Sequence, residues 1–122
     1  MAATYDSREL RMNGDTGANY VSEEGYAGGS NSAPSSNALF LGYGPAASAP
    51  ANVVGALDIT IYDYASPTWY KLVSGTAYRG DANYPQFLGG MWKSTAAITD
   101  LALFLDGADL VAGSTAALYG ID

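Results

Sequence analysis

The residues of this chain best suited to chemistry are five carboxylates, Asp58, Asp63, Asp100, Asp106 and Asp109. Two carboxylates in unlike environments can act as an acid and base pair, and several around a glycine turn can hold calcium. Their spacing fits neither arrangement. Asp106-Gly107-Ala108-Asp109 lacks the order of a calcium loop and reads as a turn, where Asp and Gly are favoured by the backbone conformations they tolerate. Glu23-Glu24 reads as a solvated loop pair. The chain contains no His and no Cys. That removes the commonest general base, thiolate nucleophiles, disulfides and the usual ligands of zinc. No hydroxyl nucleophile stands beside a base, so the sequence argues against an enzyme and implies no catalytic residue, cofactor or metal.

Two further patterns could serve binding. Tyr62, Tyr64, Trp69 and Tyr70 form an aromatic cluster, the type of surface on which sugars stack. No accompanying set of Asn, Asp and Gln stands ready to grip hydroxyls, so the cluster reads first as core or subunit interface. Trp92 reads as a packed structural aromatic. Arg79-Gly80-Asp81 spells the tripeptide recognised by animal integrins, although three residues recur by chance and suit an ordinary turn. A net charge of −7, from five basic and twelve acidic residues, argues against nucleic acid and anionic membranes as partners. No apolar run approaches the ~20 residues of a membrane helix, and no basic stretch followed by an apolar one opens the chain. Synthesis and retention in a cytosol are expected.

These residues must be positioned by short strands. The segment 8–12 leads into Asn13-Gly14-Asp15-Thr16-Gly17, where Asn-Gly offers positive-φ positions for a hairpin, with a short return strand at Tyr20-Val21. Residues 27–52 are rich in Gly, Ser, Ala, Pro and Asn around one strand, Ala38-Leu39-Phe40-Leu41-Gly42-Tyr43, and read as an extended contact surface. Leu57, Ile59 and Ile61 alternate with Asp58, Thr60 and Tyr62, the two-residue period of a strand with one buried face. In the next strand, 69–78, Tyr70 and Leu72 share one face and Trp69, Lys71 and Val73 the other, with a bulge or bend at Ser74-Gly75. Gly89-Gly90-Met91-Trp92-Lys93 forms another strand. Residues 98–105 carry Leu101, Leu103 and Leu105 on one face and are read as strand in preference to a capped helix starting at Ser94 or Thr95. The last ten residues, 113–122, are read as a closing strand that ties the terminus into a sheet.

With 122 residues, fifteen Gly and ten Tyr, the chain suits a single all-β domain, 1–122. About seven or eight short strands separated by turn signals indicate an antiparallel β-sandwich, jelly-roll-like in topology.

The stretch Gly89-Gly90-Met91-Trp92-Lys93-Ser94-Thr95-Ala96-Ala97-Ile98-Thr99-Asp100-Leu101-Ala102-Leu103, with Ala112-Gly113-Ser114 and Leu118-Tyr119-Gly120-Ile121 after it, resembles the C-terminal pattern of small jelly-roll structural proteins of tailed bacteriophages. In that pattern a Gly-x-Trp segment precedes an Ile-x-x-Leu strand, a Gly-Ser turn and a closing Leu-Tyr-Gly-Ile strand. The resemblance covers roughly the last third of the chain, and Ala116-Ala117 stand where such proteins carry a bulky aromatic. It implies a virion component, synthesised in the host cytoplasm. The favoured position is the head surface, as a decoration or cement protein that binds the major capsid protein as a homo-oligomer, a trimer or dimer. A tail-fibre or receptor-binding, carbohydrate-binding domain is the alternative, disfavoured because no residues are spare for a shaft. Contact candidates are Trp69 and Tyr70, together with Leu39, Phe40, Tyr43, Pro45 and Pro50 in the proline-rich stretch.

Overall fold

The computed structural model describes residues 5–79 and 85–120. Eight strands form in chain order: β1 (Tyr5–Met12), β2 (Tyr20–Tyr26), β3 (Gly29–Ser36), β4 (Leu39–Pro45), β5 (Ala56–Tyr62), β6 (Lys71–Tyr78), β7 (Pro85–Trp92) and β8 (Leu101–Leu105). They make a three-stranded sheet, β4-β1-β8, and a five-stranded sheet, β3-β2-β7-β6-β5, with every pairing antiparallel. The all-β sandwich read from the sequence is what forms. β1·β8 and β2·β7 are nested pairs of the jelly-roll kind, whereas β2·β3, β5·β6 and β6·β7 are consecutive hairpins, so the strand order is not a jelly roll throughout.

β4 packs across β2, β7 and β6 and closes the core. Leu10, Met12, Leu39, Leu41, Val73, Leu88 and Trp92 are buried there, each contributing roughly 1.5–3 kcal/mol by removal of apolar surface from water. Leu57, Ile59, Ile61, Ile98 and Leu101 pack against this cluster while only partly buried. The sheet of five strands is wider than the sheet of three, so β5 lies at a margin of the sandwich.

Several interior positions are polar. Ser22, Glu24, Lys71 and Gln86 are buried on inward-facing positions, and Gln86 Nε2 donates to Glu24 Oε1. Glu24 Oε2 also accepts from Asn31 Nδ2 at 3.0 Å. Two of these side chains seal the free edge of β4: Ser22 Oγ accepts the Phe40 N–H at 2.9 Å and Gln86 Oε1 accepts the Tyr43 N–H at 3.2 Å. Buried amides must find acceptors, and here the opposite sheet supplies them. Glu24 is therefore a strand residue of the core and not the solvated loop residue expected from the sequence. Arg8 is buried as well; its Nη2 donates to the Tyr78 carbonyl at 2.9 Å, and Nη1 has no hydrogen-bond partner among the described residues. Burial lowers the Arg8 pKa.

Asn13-Gly14 does make the expected turn, both residues lying at positive φ (54° and 66°). It carries the chain from one sheet to the other and does not close a hairpin, because β1 and β2 belong to different sheets. No bulge occurs at Ser74-Gly75, where β5 and β6 pair without a register shift. Gly75 is required instead by close approach, since a Cβ there would overlap the Asp58 carbonyl. Register shifts fall between Ser7 and Glu9 and between Tyr20 and Ser22. Part of the segment 27–52 is β3, which has no apolar alternation and is a strand because it pairs along β2. Among the described residues the expected closing strand does not form: residues 112–120 have no strand partner and are exposed, Leu118 at 79% and Tyr119 at 83%.

Candidate interaction surface

The clearest candidate surface is the outer face of the five-stranded sheet. Lys71, Val73 and Ala77 on β6 and Gln86, Leu88 and Trp92 on β7 point inward, so the intervening residues point out. Register aligns Tyr62, Leu72, Met91 and Val21 as one row across β5, β6, β7 and β2. A second row carries Asp58, Thr76 and Phe87, and Tyr78 stands opposite Pro85. Tyr62, Leu72, Tyr78 and Phe87 are each about half exposed or more, at 49%, 53%, 50% and 59%. Two polar residues, Lys71 and Gln86, thus occupy inward positions in these strands while several large apolar ones face solvent. A cluster of exposed apolar side chains on one face marks a surface that associates.

The loop between β5 and β6 extends this face. Tyr64, Trp69 and Tyr70 are exposed there, Trp69 at 65%. Its backbone is nonetheless held. Asp63 adopts a positive φ of 54°, the Ser66 N–H donates to the Asp63 carbonyl at 3.0 Å, and Ser66 Oγ accepts from Thr68 N–H (3.1 Å) and Trp69 N–H (3.3 Å). Beneath it the fully buried Lys71 ammonium donates to the carbonyls of Ser66 at 2.8 Å and Trp69 at 2.7 Å. Charge-assisted bonds of this kind are roughly twice as strong as neutral ones, so a lysine inside the sandwich fixes the aromatics outside it. The aromatic cluster is accordingly on the surface and does not form core.

A second face lies on the three-stranded sheet. Tyr5 and Tyr43 meet edge to face at 5.5 Å, Phe40 and Tyr43 at 5.3 Å, and the Arg79 guanidinium sits 3.8 Å over the Tyr5 ring. Glu9 stands between Phe40 and Phe104 in register, with Arg11 over the Phe104 ring at 4.8 Å. Beside them a groove of about 250 Å³ is lined by Ser7, Glu9, Asn31, Ser32, Phe40 and Tyr43 among others. Burial, with Asp106 next in importance, raises the Glu9 pKa, and burial raises that of Tyr43.

The residues expected as contacts therefore separate. Trp69, Tyr70 and Pro50 are exposed; Phe40 and Tyr43 are partly buried on the second face. Leu39 and Pro45 are corrected: Leu39 is 1% exposed within the core and Pro45 is also buried, so neither reaches a partner. Leu72, Tyr78 and Phe87 were not anticipated. Their direction follows from the inward placement of Val73, Ala77, Leu88 and Trp92, which Lys71 and Gln86 share despite their polarity. Gly80 and Asp81 of the Arg-Gly-Asp tripeptide lie outside the described residues. Asp58, Asp63, Asp100, Asp106 and Asp109 do not converge, and among the described residues no group of three or more acidic side chains gathers for a metal. No protein-family model, no curated protein and no solved structure matches the chain.

Proposed function

We propose that this chain is a non-enzymatic structural protein of a bacteriophage virion, a decoration or cement protein that bridges and stabilises neighbouring capsid subunits on the head surface. The observation that carries the reading is the outer face of the five-stranded sheet, where Tyr62, Leu72 and Phe87 are exposed and continue into the held loop bearing Trp69 and Tyr70. Tyr and Trp are the residues most often found as anchors of protein interfaces. The virion setting is supported by the sequence resemblance of residues 89–121. Many modest contacts spread over several subunits would then resist disruption better than any one of them.

The test is occupancy. Trp69→Ala with Tyr70→Ala should lower the amount of protein on purified heads and make those heads easier to disrupt, without unfolding the domain. Full occupancy with unchanged head stability discards the assignment.

The groove beside Phe40 and Tyr43 favours a second reading, a receptor-binding domain that takes carbohydrate. It places hydroxyl, amide and carboxyl groups next to aromatic rings. Binding of the purified chain to a glycan array, abolished by Tyr43→Ala, supports this alternative; an empty array removes it.

A further inference from the structure

We propose that residues 114–120 of one copy add as an extra strand to the free edge of β5 in a second copy. The proposal rests on the assembly reading above and names how copies of the chain join.

The donor is an extended segment without a seat. After Leu110 pairs with Ala46, the chain turns at Gly113 (φ 89°), with the Ser114 N–H donating to the Val111 carbonyl at 3.1 Å. Beyond that turn, residues 115–120 make no strand pair or hydrogen bond among the described residues, and Leu118 and Tyr119 are almost bare to solvent. An apolar pair held away from its own core is suited to a core or edge elsewhere.

The acceptor is the least protected edge of the molecule. β3, at the other margin of its sheet, is blunted by Pro34 and a Gly/Ser-rich sequence. β4 has edge amides that are already taken by Ser22 and Gln86. β8 is short, only five residues. β5 is a regular strand of seven residues, paired only with β6, with Leu57, Ile59 and Ile61 partly buried on one face and Tyr62 exposed on the other. A strand added there would satisfy its unpaired backbone groups by β-augmentation and extend both faces. Because Leu118 and Tyr119 are adjacent, they project to opposite faces; either register places one beside the Ile59 and Ile61 row and the other beside Tyr62.

Charge at the two segments does not oppose a second copy as the occupant. The chain carries −7, which sets one copy against another wherever acidic surfaces meet. Residues 110–120 contain no charged side chain, and β5 has only Asp58. The two are compatible without a basic partner, and the segment from Ser114 to Gly120 matches β5 in length.

Sedimentation velocity across a hundredfold concentration range tests the proposal, using the full chain, a chain ending at Val111 and a full chain carrying Leu118→Asp and Tyr119→Asp. The full chain should self-associate and both altered chains should stay monomeric with unchanged circular dichroism. Hydrogen exchange should slow at residues 56–62 only in the concentrated full chain. A full chain that stays monomeric, association that survives truncation, or protection at 56–62 independent of concentration overturns the proposal. Its failure leaves the head-occupancy result untouched, whereas association through the segment by a chain absent from particles would remove the virion reading alone.

Discussion

Residues 13–19 and residues 111–120 both follow strands of the three-stranded sheet and both mix glycine with small polar residues, yet only one is tied to the fold. In 13–19 every turn finds an acceptor. Asp15 accepts from the Trp92 indole (2.8 Å), the Asn19 amide (2.9 Å) and the Gly17 N–H (2.8 Å). The buried Tyr20 hydroxyl accepts from the Met12 N–H at 3.1 Å and donates to the Asp15 carbonyl at 2.8 Å, while its ring stacks on Trp92. Asn13 clamps the segment leading into β8, donating to the Ala97 carbonyl (2.8 Å) and accepting from the Thr99 (2.7 Å) and Asp100 (3.1 Å) N–H groups. Residues 111–120 hold more apolar surface and almost no such bonds. Attachment of a segment to the fold here follows its hydrogen-bond partners and not its hydrophobicity.

Four measurements test that contrast. Asp15→Ala leaves the Trp92 indole and two further donors without their acceptor, and should cost about 2–3 kcal/mol in denaturant unfolding; a loss below about 0.5 kcal/mol would mean the bonds of this loop are idle. Asn13→Gly keeps the positive φ and deletes the clamp, for an expected loss of about 1–2 kcal/mol. Acidification reads the same site. Trp92 first, then Asn19 and Gly17, hold the Asp15 carboxyl below its usual range. A folded pKa below the unfolded value, about 3.9, gives stability that is complete above that value and is lost as pH falls through the folded one. The unfolding midpoint of Asp15→Asn should therefore fall less than that of the parent chain below about pH 4. The smallest effect belongs to removal of residues 112–122, expected to change monomer stability by no more than about 0.5 kcal/mol.

Much of the architecture is legible from residue order. Leu57, Ile59 and Ile61 announce β5 by alternation, Asn13-Gly14 announces its turn, and Trp92 is buried as its surroundings suggest. β3 is not legible, because Gly29–Ser36 has no apolar period and becomes a strand only by pairing with β2. The closing strand fails for the converse reason: Leu118-Tyr119 is strand-like in sequence, yet residues 115–120 pair with no strand of the chain among the described residues. The surface was half legible. Trp69 and Tyr70 follow from aromatic content, whereas Leu72 and Phe87 face out because Lys71 is committed inward by bonds to the loop just before it and Gln86 by bonds to Glu24 and Tyr43.

The burial of Lys71 also supplies a reporter for the loop above it. The sequence has only two lysines, Lys71 and Lys93. An amine-reactive label can reach the partly exposed Lys93 directly but must wait for residues 63–70 to lift before it meets Lys71. The ratio of the two labelling rates therefore measures how often the Trp69 loop opens, and a partner seated on that loop would silence Lys71 while leaving Lys93 reactive.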